Sequence, residues 1–148
     1  MAGGLELGRI NIAARGAGMA KGATTMALNY AMERKTFGKT IAEHQAIQLK
    51  LAEMSTRAAA AELLVHQAAS KFDRQERCDL EAGQAKFFAS EAAVQNSLDA
   101  MRVFGGYSYS PDYEIERFYR DAPLLCIGEG TNEIQRMIIA KQMVARAG

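Results

Sequence analysis

The chain has 148 residues, of which 49% are hydrophobic, only 7% are aromatic and none is Trp, and its 18 Lys and Arg nearly balance 17 Asp and Glu. That length suits one domain with a core of its own, and an apolar set dominated by small and aliphatic side chains favours closely packed helices. Charges of both signs are interspersed, which excludes a nucleic-acid face; no apolar run approaches the roughly 20 residues of a membrane span; and Cys78 and Cys126 lie apart, away from metal or redox spacing.

These features lead us to expect a soluble, cytoplasmic protein with reduced thiols and no metal. Met1 to Gly4 is too short and glycine-rich for a signal peptide, and a helix begins almost at once, which reads as a start inside a longer polypeptide.

From Leu5 to about Lys35 there is no Pro, and Leu5, Ile12, Met19, Met26 and Tyr30 recur at sevens and a four, the stripe of one long helix. Gly8, Gly16, Gly18 and Gly22 each weaken a helix interior, so close approach of another helix or a ligand is expected there. Phe37 to His44 reads as a connection. The next helix carries the clearest period in the chain, with Ile47, Leu51, Met54, Ala58, Ala61 and Val65 in alternating steps of four and three, and ends near Arg74. A polar link from Asp73 to Asp79 leads to a third helix over about Leu80–Phe104.

Gly105, Gly106, Ser108, Ser110 and Pro111 mark a loop, after which Asp112 is placed to cap a short helix through about Arg120. Asp121 to Gly130, with Pro123 and two glycines, is expected to be irregular. Thr131 then caps the last helix, to about Arg146, by accepting from backbone N–H groups two or three residues on. No strand is expected. The fold class is all-α, an up-and-down four-helix bundle with one additional short helix.

Several apparent motifs carry no chemistry. Gly38-Lys39-Thr40 lacks the earlier glycine and the preceding strand of a phosphate loop, and the helix-borne glycines 16, 18 and 22 miss the dinucleotide fingerprint. No Glu-x-x-His pair supports a di-iron site, and there is no nucleophile elbow.

The informative residues lie elsewhere. Tyr119-Arg120-Asp121-Ala122 and Ile127-Gly128-Glu129-Gly130-Thr131-Asn132-Glu133-Ile134-Gln135-Arg136 stand near the end, after Glu33-Arg34-Lys35-Thr36-Phe37-Gly38, His44-Gln45 and Phe104-Gly105-Gly106. In order and spacing this set resembles the C-terminal helical domain of the acyl-CoA dehydrogenase family, of short-chain-like type, across residues 5–148. The resemblance implies a fragment without the family's N-terminal helical and middle β domains. It also implies FAD as cofactor, an acyl-CoA substrate, an electron-transferring flavoprotein as partner and a homo-oligomer, a tetramer when intact.

By the same resemblance Glu129 is the base that removes the proton α to the thioester carbonyl, while the β hydrogen leaves as hydride to the flavin and a trans-2-enoyl thioester forms. A carboxylate can do this only if a dry site raises its affinity for protons. Gly128 and Gly130 should let the backbone approach a flat ligand. Some relatives carry the base on the first helix, directly before the position of Arg9; here that residue is Gly8.

Glu6, Arg9 and Gly130 match substrate-side positions. Arg34, Thr36 and Phe37 match the element that reaches the pyrophosphate of FAD held mainly by a neighbouring subunit, where a guanidinium fork suits the anion. Gln45, Arg102, Gly105, Gly106, Thr131 and Glu133 match further cofactor contacts, with Arg102 standing where Gln is usual and Gly128 where Tyr is common. The isolated chain is expected to be inactive. Two alternatives share these residues: an acyl-CoA oxidase domain, and a non-catalytic helical oligomerisation module.

Overall fold

The computed structural model describes residues 4–148. Five α-helices carry the chain: α1 Gly4–Glu33, α2 Gln45–Asp73, α3 Asp79–Phe104, α4 Ile115–Ile127 and α5 Asn132–Ala147. The expected all-α bundle forms, with α3 at its centre packed against the other four, α1 and α2 also packed on each other, and α4 lying against both α3 and α1.

Small residues make this packing possible. Ala13, Ala20, Ala23 and Ala27 of α1 and Ala82, Ala85 and Ala89 of α3 are fully buried, and Gly16 lies so close to α3 that an added Cβ would fall 2.7 Å from the Ala89 carbonyl oxygen. A buried amide inside the seam is paired on both sides, as burial favours. Asn96 donates to the carbonyls of Ala20 (3.1 Å) and Met54 (2.8 Å) and accepts from Arg57 Nε (2.7 Å), joining α1, α2 and α3 at one residue.

The helix ends follow local chemistry. Beyond α2, Gln75 takes a left-handed φ of 58°, and the N–H groups of Gln75 and Glu76 return to the carbonyls of Phe72 and Lys71, a Schellman stop. Gly105, at φ 63°, ends α3.

The structure corrects four sequence expectations. A minimal hairpin begins before the expected Phe37–His44 connection and runs into it: β1 Lys35–Thr36 pairs antiparallel with β2 Lys39–Thr40. Phe37 (φ 52°) and Gly38 (φ 80°) form its two-residue turn, both with the positive φ that the right-handed twist of a hairpin demands. The short helix starts at Ile115, not after Asp112, whose carboxylate instead accepts from the Ser110 hydroxyl at 2.9 Å.

That helix also runs through Pro123 to Ile127, because burial of Ile115, Ala122 and Leu125 on one face outweighs the single backbone donor that proline removes. Finally, Thr131 occupies the N-cap of α5 but its side chain makes no cap bond. The neighbouring Glu133 carboxyl is held below its ordinary pKa by its own backbone N–H and then by the Thr131 hydroxyl. Among the described residues no helix is long and apolar enough to cross a membrane.

Candidate active site

Glu129 sits between α4 and α5 with φ 55°, a left-handed conformation that is costly for any residue bearing a Cβ. Gly130 follows at φ 86°. Gly128 is extended (φ −63°, ψ 150°), so the backbone demand falls on Glu129 and Gly130, and Gly128 needs no glycine freedom. The loop turns the Glu129 side chain onto α1, where its carboxylate fills the space over Gly8: an added Cβ there would lie 2.5 Å from Oε2 and 2.7 Å from Cδ.

Gly8 on the first helix and the Glu129 carboxylate therefore meet at one point in space. Among the described residues this carboxylate takes no ion pair and no hydrogen bond, which leaves its lone pairs available for a proton. Glu129 is exposed. The dry wall that such a base needs is thus not built from residues 4–148.

The loop is held from behind by buried amides. Gln135, fully buried, donates through Nε2 to the carbonyls of Glu129 (3.1 Å) and Gly130 (3.2 Å). The same Nε2 would lie 2.9 Å from a Cβ at Gly130, so glycine there serves both the turn and this clamp. Asn132, the first residue of α5, is buried and bonded to Ser90, Glu91 and Lys86 of α3. None of these supporting residues stood out in the sequence, although Asn132 and Gln135 lie inside the motif that carries the resemblance.

Glu6 and Arg9 are both buried, and they belong to a charged group at the start of α3. Arg77 donates to Asp79 and holds its pKa down, Glu6 shares a hydrogen bond with Asp79, and Arg9 adds positive charge nearby. Arg9 Nε is buried without a partner.

A second set of site residues collects at the far end of α1. A cleft of about 480 Å³ is lined there by Tyr30, Arg34, Thr36, Gly105, Gly106 and Tyr107. Tyr30 stacks on Phe104 at 4.2 Å between centroids, and the Arg34 guanidinium lies 5.8 Å over the Tyr107 ring. Among the described residues Arg34 has no ion-pair partner, and added Cβ atoms at Gly38, Gly105 and Gly106 would meet open space. An unpaired guanidinium at the rim of a glycine-edged aromatic cleft fits a pyrophosphate.

Thr36 Oγ1 is bonded to His44 Nε2 at 3.0 Å, which closes the hairpin onto the start of α2 beside the exposed Gln45. Phe37 at the hairpin tip is 96% exposed, an unusual place for a large aromatic ring unless another surface covers it. Arg102 is turned away from the cleft, its Nη1 donating to Asp99 at 3.0 Å. Thr131 and Glu133 stand beside Glu129, not in the cleft. The sequence-derived cofactor residues thus form two groups, at opposite ends of α1.

Comparison with known proteins decides the family. The model of the acyl-CoA dehydrogenase C-terminal domain matches residues 1–144. The chain belongs to the acyl-CoA dehydrogenase family. It is 51% identical over 140 residues to an acyl-CoA dehydrogenase of Bacillus subtilis (strain 168) and 49% identical over 140 residues to a 3-(aryl)acrylate reductase of Clostridium sporogenes (strain ATCC 15579), in each case over 95% of this chain and 37% of the relative.

The butyryl-CoA dehydrogenase of Megasphaera elsdenii superposes with a TM-score of 0.93 at 38% identity, again over 95% of this chain and 37% of that one. The chain therefore spans little more than a third of the length of these family members.

Proposed function

We propose that this chain is the C-terminal bundle of an FAD-dependent acyl-CoA dehydrogenase, and that Glu129 is its catalytic base. The observation that carries the reading is the Glu129 carboxylate itself: unpaired among the described residues, mounted on a left-handed loop, and seated on Gly8. In the proposed reaction one carboxylate oxygen takes the proton α to the thioester carbonyl. FAD, when bound, supplies the acceptor for the β hydrogen as hydride, and the product is a trans-2-enoyl thioester.

The remaining residues bind and orient. Arg34, with Thr36 and Phe37, would hold the cofactor's pyrophosphate end between Gly105 and Gly106, while Thr131 and Glu133 face it beside the base. Gly8 and Arg34 are separated by 26 helical steps, about 39 Å at 1.5 Å per residue, which is longer than an extended dinucleotide. One FAD cannot touch both groups on one chain, so the active site requires the Glu129 of one copy and the Arg34 cleft of another. This supports a homo-oligomer.

The exposure of Glu129 supports a further step of the reading: the covering N-terminal helical and middle β domains are needed for turnover, and residues 1–148 alone dehydrogenate nothing. Electrons would leave through an electron-transferring flavoprotein. The similarity to an acrylate reductase supports the same roles in the opposite direction, with Glu129 returning a proton to the α carbon.

The test is an assay of the full-length polypeptide carrying this chain, with a panel of acyl-CoA thioesters and an artificial electron acceptor, beside residues 1–148 alone with added FAD. Turnover by the former only is expected. Stoichiometric peroxide without an added acceptor would replace the dehydrogenase with an oxidase, and a flavin-free, inactive full-length protein would leave a structural module.

A further inference from the structure

Among the described residues Lys86 is the largest side chain buried completely. It projects from α3 amid the alanines that pack the core, where an apolar side chain of equal size would avoid the cost of stripping water from an ammonium group. Burial pushes its pKa down. The ammonium donates to two neutral oxygens, the carbonyl of Cys126 at 3.1 Å and Oδ1 of Asn132 at 2.8 Å.

Those two acceptors bracket the base loop. Cys126 lies in the last turn of α4 and Asn132 is the first residue of α5, so one ammonium ties down both ends of the Ile127–Thr131 segment, whose middle Gln135 holds through the Glu129 and Gly130 carbonyls. Asn132 is fixed in turn by Ser90 Oγ at 3.0 Å and Glu91 Oε1 at 2.7 Å, both on α3. The loop includes Glu129 and Gly130 at positive φ, a strained geometry that persists only where the surroundings hold it.

We propose that Lys86 is the positioning residue for Glu129: by tying Cys126 and Asn132 to α3, it fixes both ends of the base loop and holds the carboxylate on Gly8. Lys86 touches neither substrate nor cofactor and acts only through the loop. Its kinetic consequence rests on Glu129 being the base, whereas its structural consequence does not.

The test compares Lys86→Met, which keeps the buried stem and removes the donors, with Ala61→Gly, a core change on α2 remote from the loop, using the same two readouts for each. In this chain, amide hydrogen exchange at Ile127–Asn132 is expected to accelerate by roughly tenfold or more in Lys86→Met with little change in α1 and α2, and not selectively in Ala61→Gly. In the full-length enzyme, Lys86→Met is expected to lower kcat by about 10- to 100-fold with KM nearly unchanged and to raise the isotope effect of an α-deuterated substrate, as slower proton abstraction requires.

Unaltered loop exchange in Lys86→Met overturns the proposal. So does a loosened loop with wild-type kcat and isotope effect in an enzyme that Glu129→Gln inactivates. If Glu129→Gln itself retains turnover, the reading of the base has failed, and the exchange result alone decides whether Lys86 fixes the loop.

Discussion

The carboxylate of Glu129 occupies the space that a side chain at Gly8 would need, with Oε2 2.5 Å from the position of its Cβ. Two residues distant in sequence thus share one site, and only one of them can carry a side chain there. Gly8→Ala should leave the fold intact or firmer by about 1 kcal/mol, since alanine is the better helix former and the atoms it displaces belong to the flexible end of Glu129. Turnover of the full-length enzyme should nonetheless fall by about 10- to 100-fold, because the base is pushed from its place. Melting curves and steady-state kinetics on the same variant check both halves.

Under the proposed function, the separation of Glu129 from the Arg34 cleft makes the active site a property of two copies. Full-length Glu129→Gln and Arg34→Ala proteins should each be impaired, the second through lost FAD. Co-expressed as mixed oligomers they should recover activity, since a wild-type Glu129 from one copy then meets a wild-type Arg34 from the other. Flavin content and turnover of tag-selected hybrids measure this; hybrids no better than the parents would place both groups in one chain's site.

The interior glycines of α1 separate by what faces them. At Gly16 a Cβ would strike backbone, 2.7 Å from Ala89 O and 2.8 Å from Ala89 C, whereas at Gly18 nothing lies within 4 Å. Gly16→Ala should cost about 2 kcal/mol or more, because two helices must separate. Gly18→Ala should stabilise by about 0.5–1 kcal/mol. Urea denaturation of the two variants gives the sign of each.

Acid should weaken the junction of α2, α3 and α5. Glu81, 5% exposed, accepts from Arg146 (2.8 and 3.1 Å) and Lys71 (2.7 Å), and these bonds, Arg146 first, lower its pKa from 4.5 to about 2. A carboxylate with a depressed folded-state pKa stabilises the fold above its unfolded value and loses that contribution as pH falls through the folded one. Wild type should exceed Glu81→Gln by about 1–2 kcal/mol near pH 7, a figure discounted for the partly exposed cations, and the gap should close as pH drops from about 4.5 toward about 2. Denaturation curves across that range test it.

The long helices were legible because their apolar period persists for many turns, as with Ile47 to Val65, and because alanine-rich faces admit few other uses. The hairpin was not, since strands of two residues show no alternation and Phe37 at positive φ contradicts its own local preference. Pro123 misled for a related reason: its local effect is to stop a helix, yet Ala122 and Leu125 bury the same face on either side of it.

At the site, Glu129 stood out through its glycine-flanked motif and that motif's neighbours. Its seat on Gly8 could not be read from the sequence, because the contact joins opposite ends of the chain. Lys86 was hidden by its chemistry: a lysine among alanines on a helix looks solvent-facing until packing of α4 and α5 encloses it.

The role of Glu129 as base is tested most directly by the flavin reduction rate of the full-length enzyme when acyl-CoA is mixed with Glu129→Gln under anaerobic conditions. FAD content and substrate binding should match wild type while reduction slows by about 10²- to 10⁴-fold, the range expected for loss of a general base. Reduction within a few-fold of wild type would contradict the assignment of Glu129 as the base.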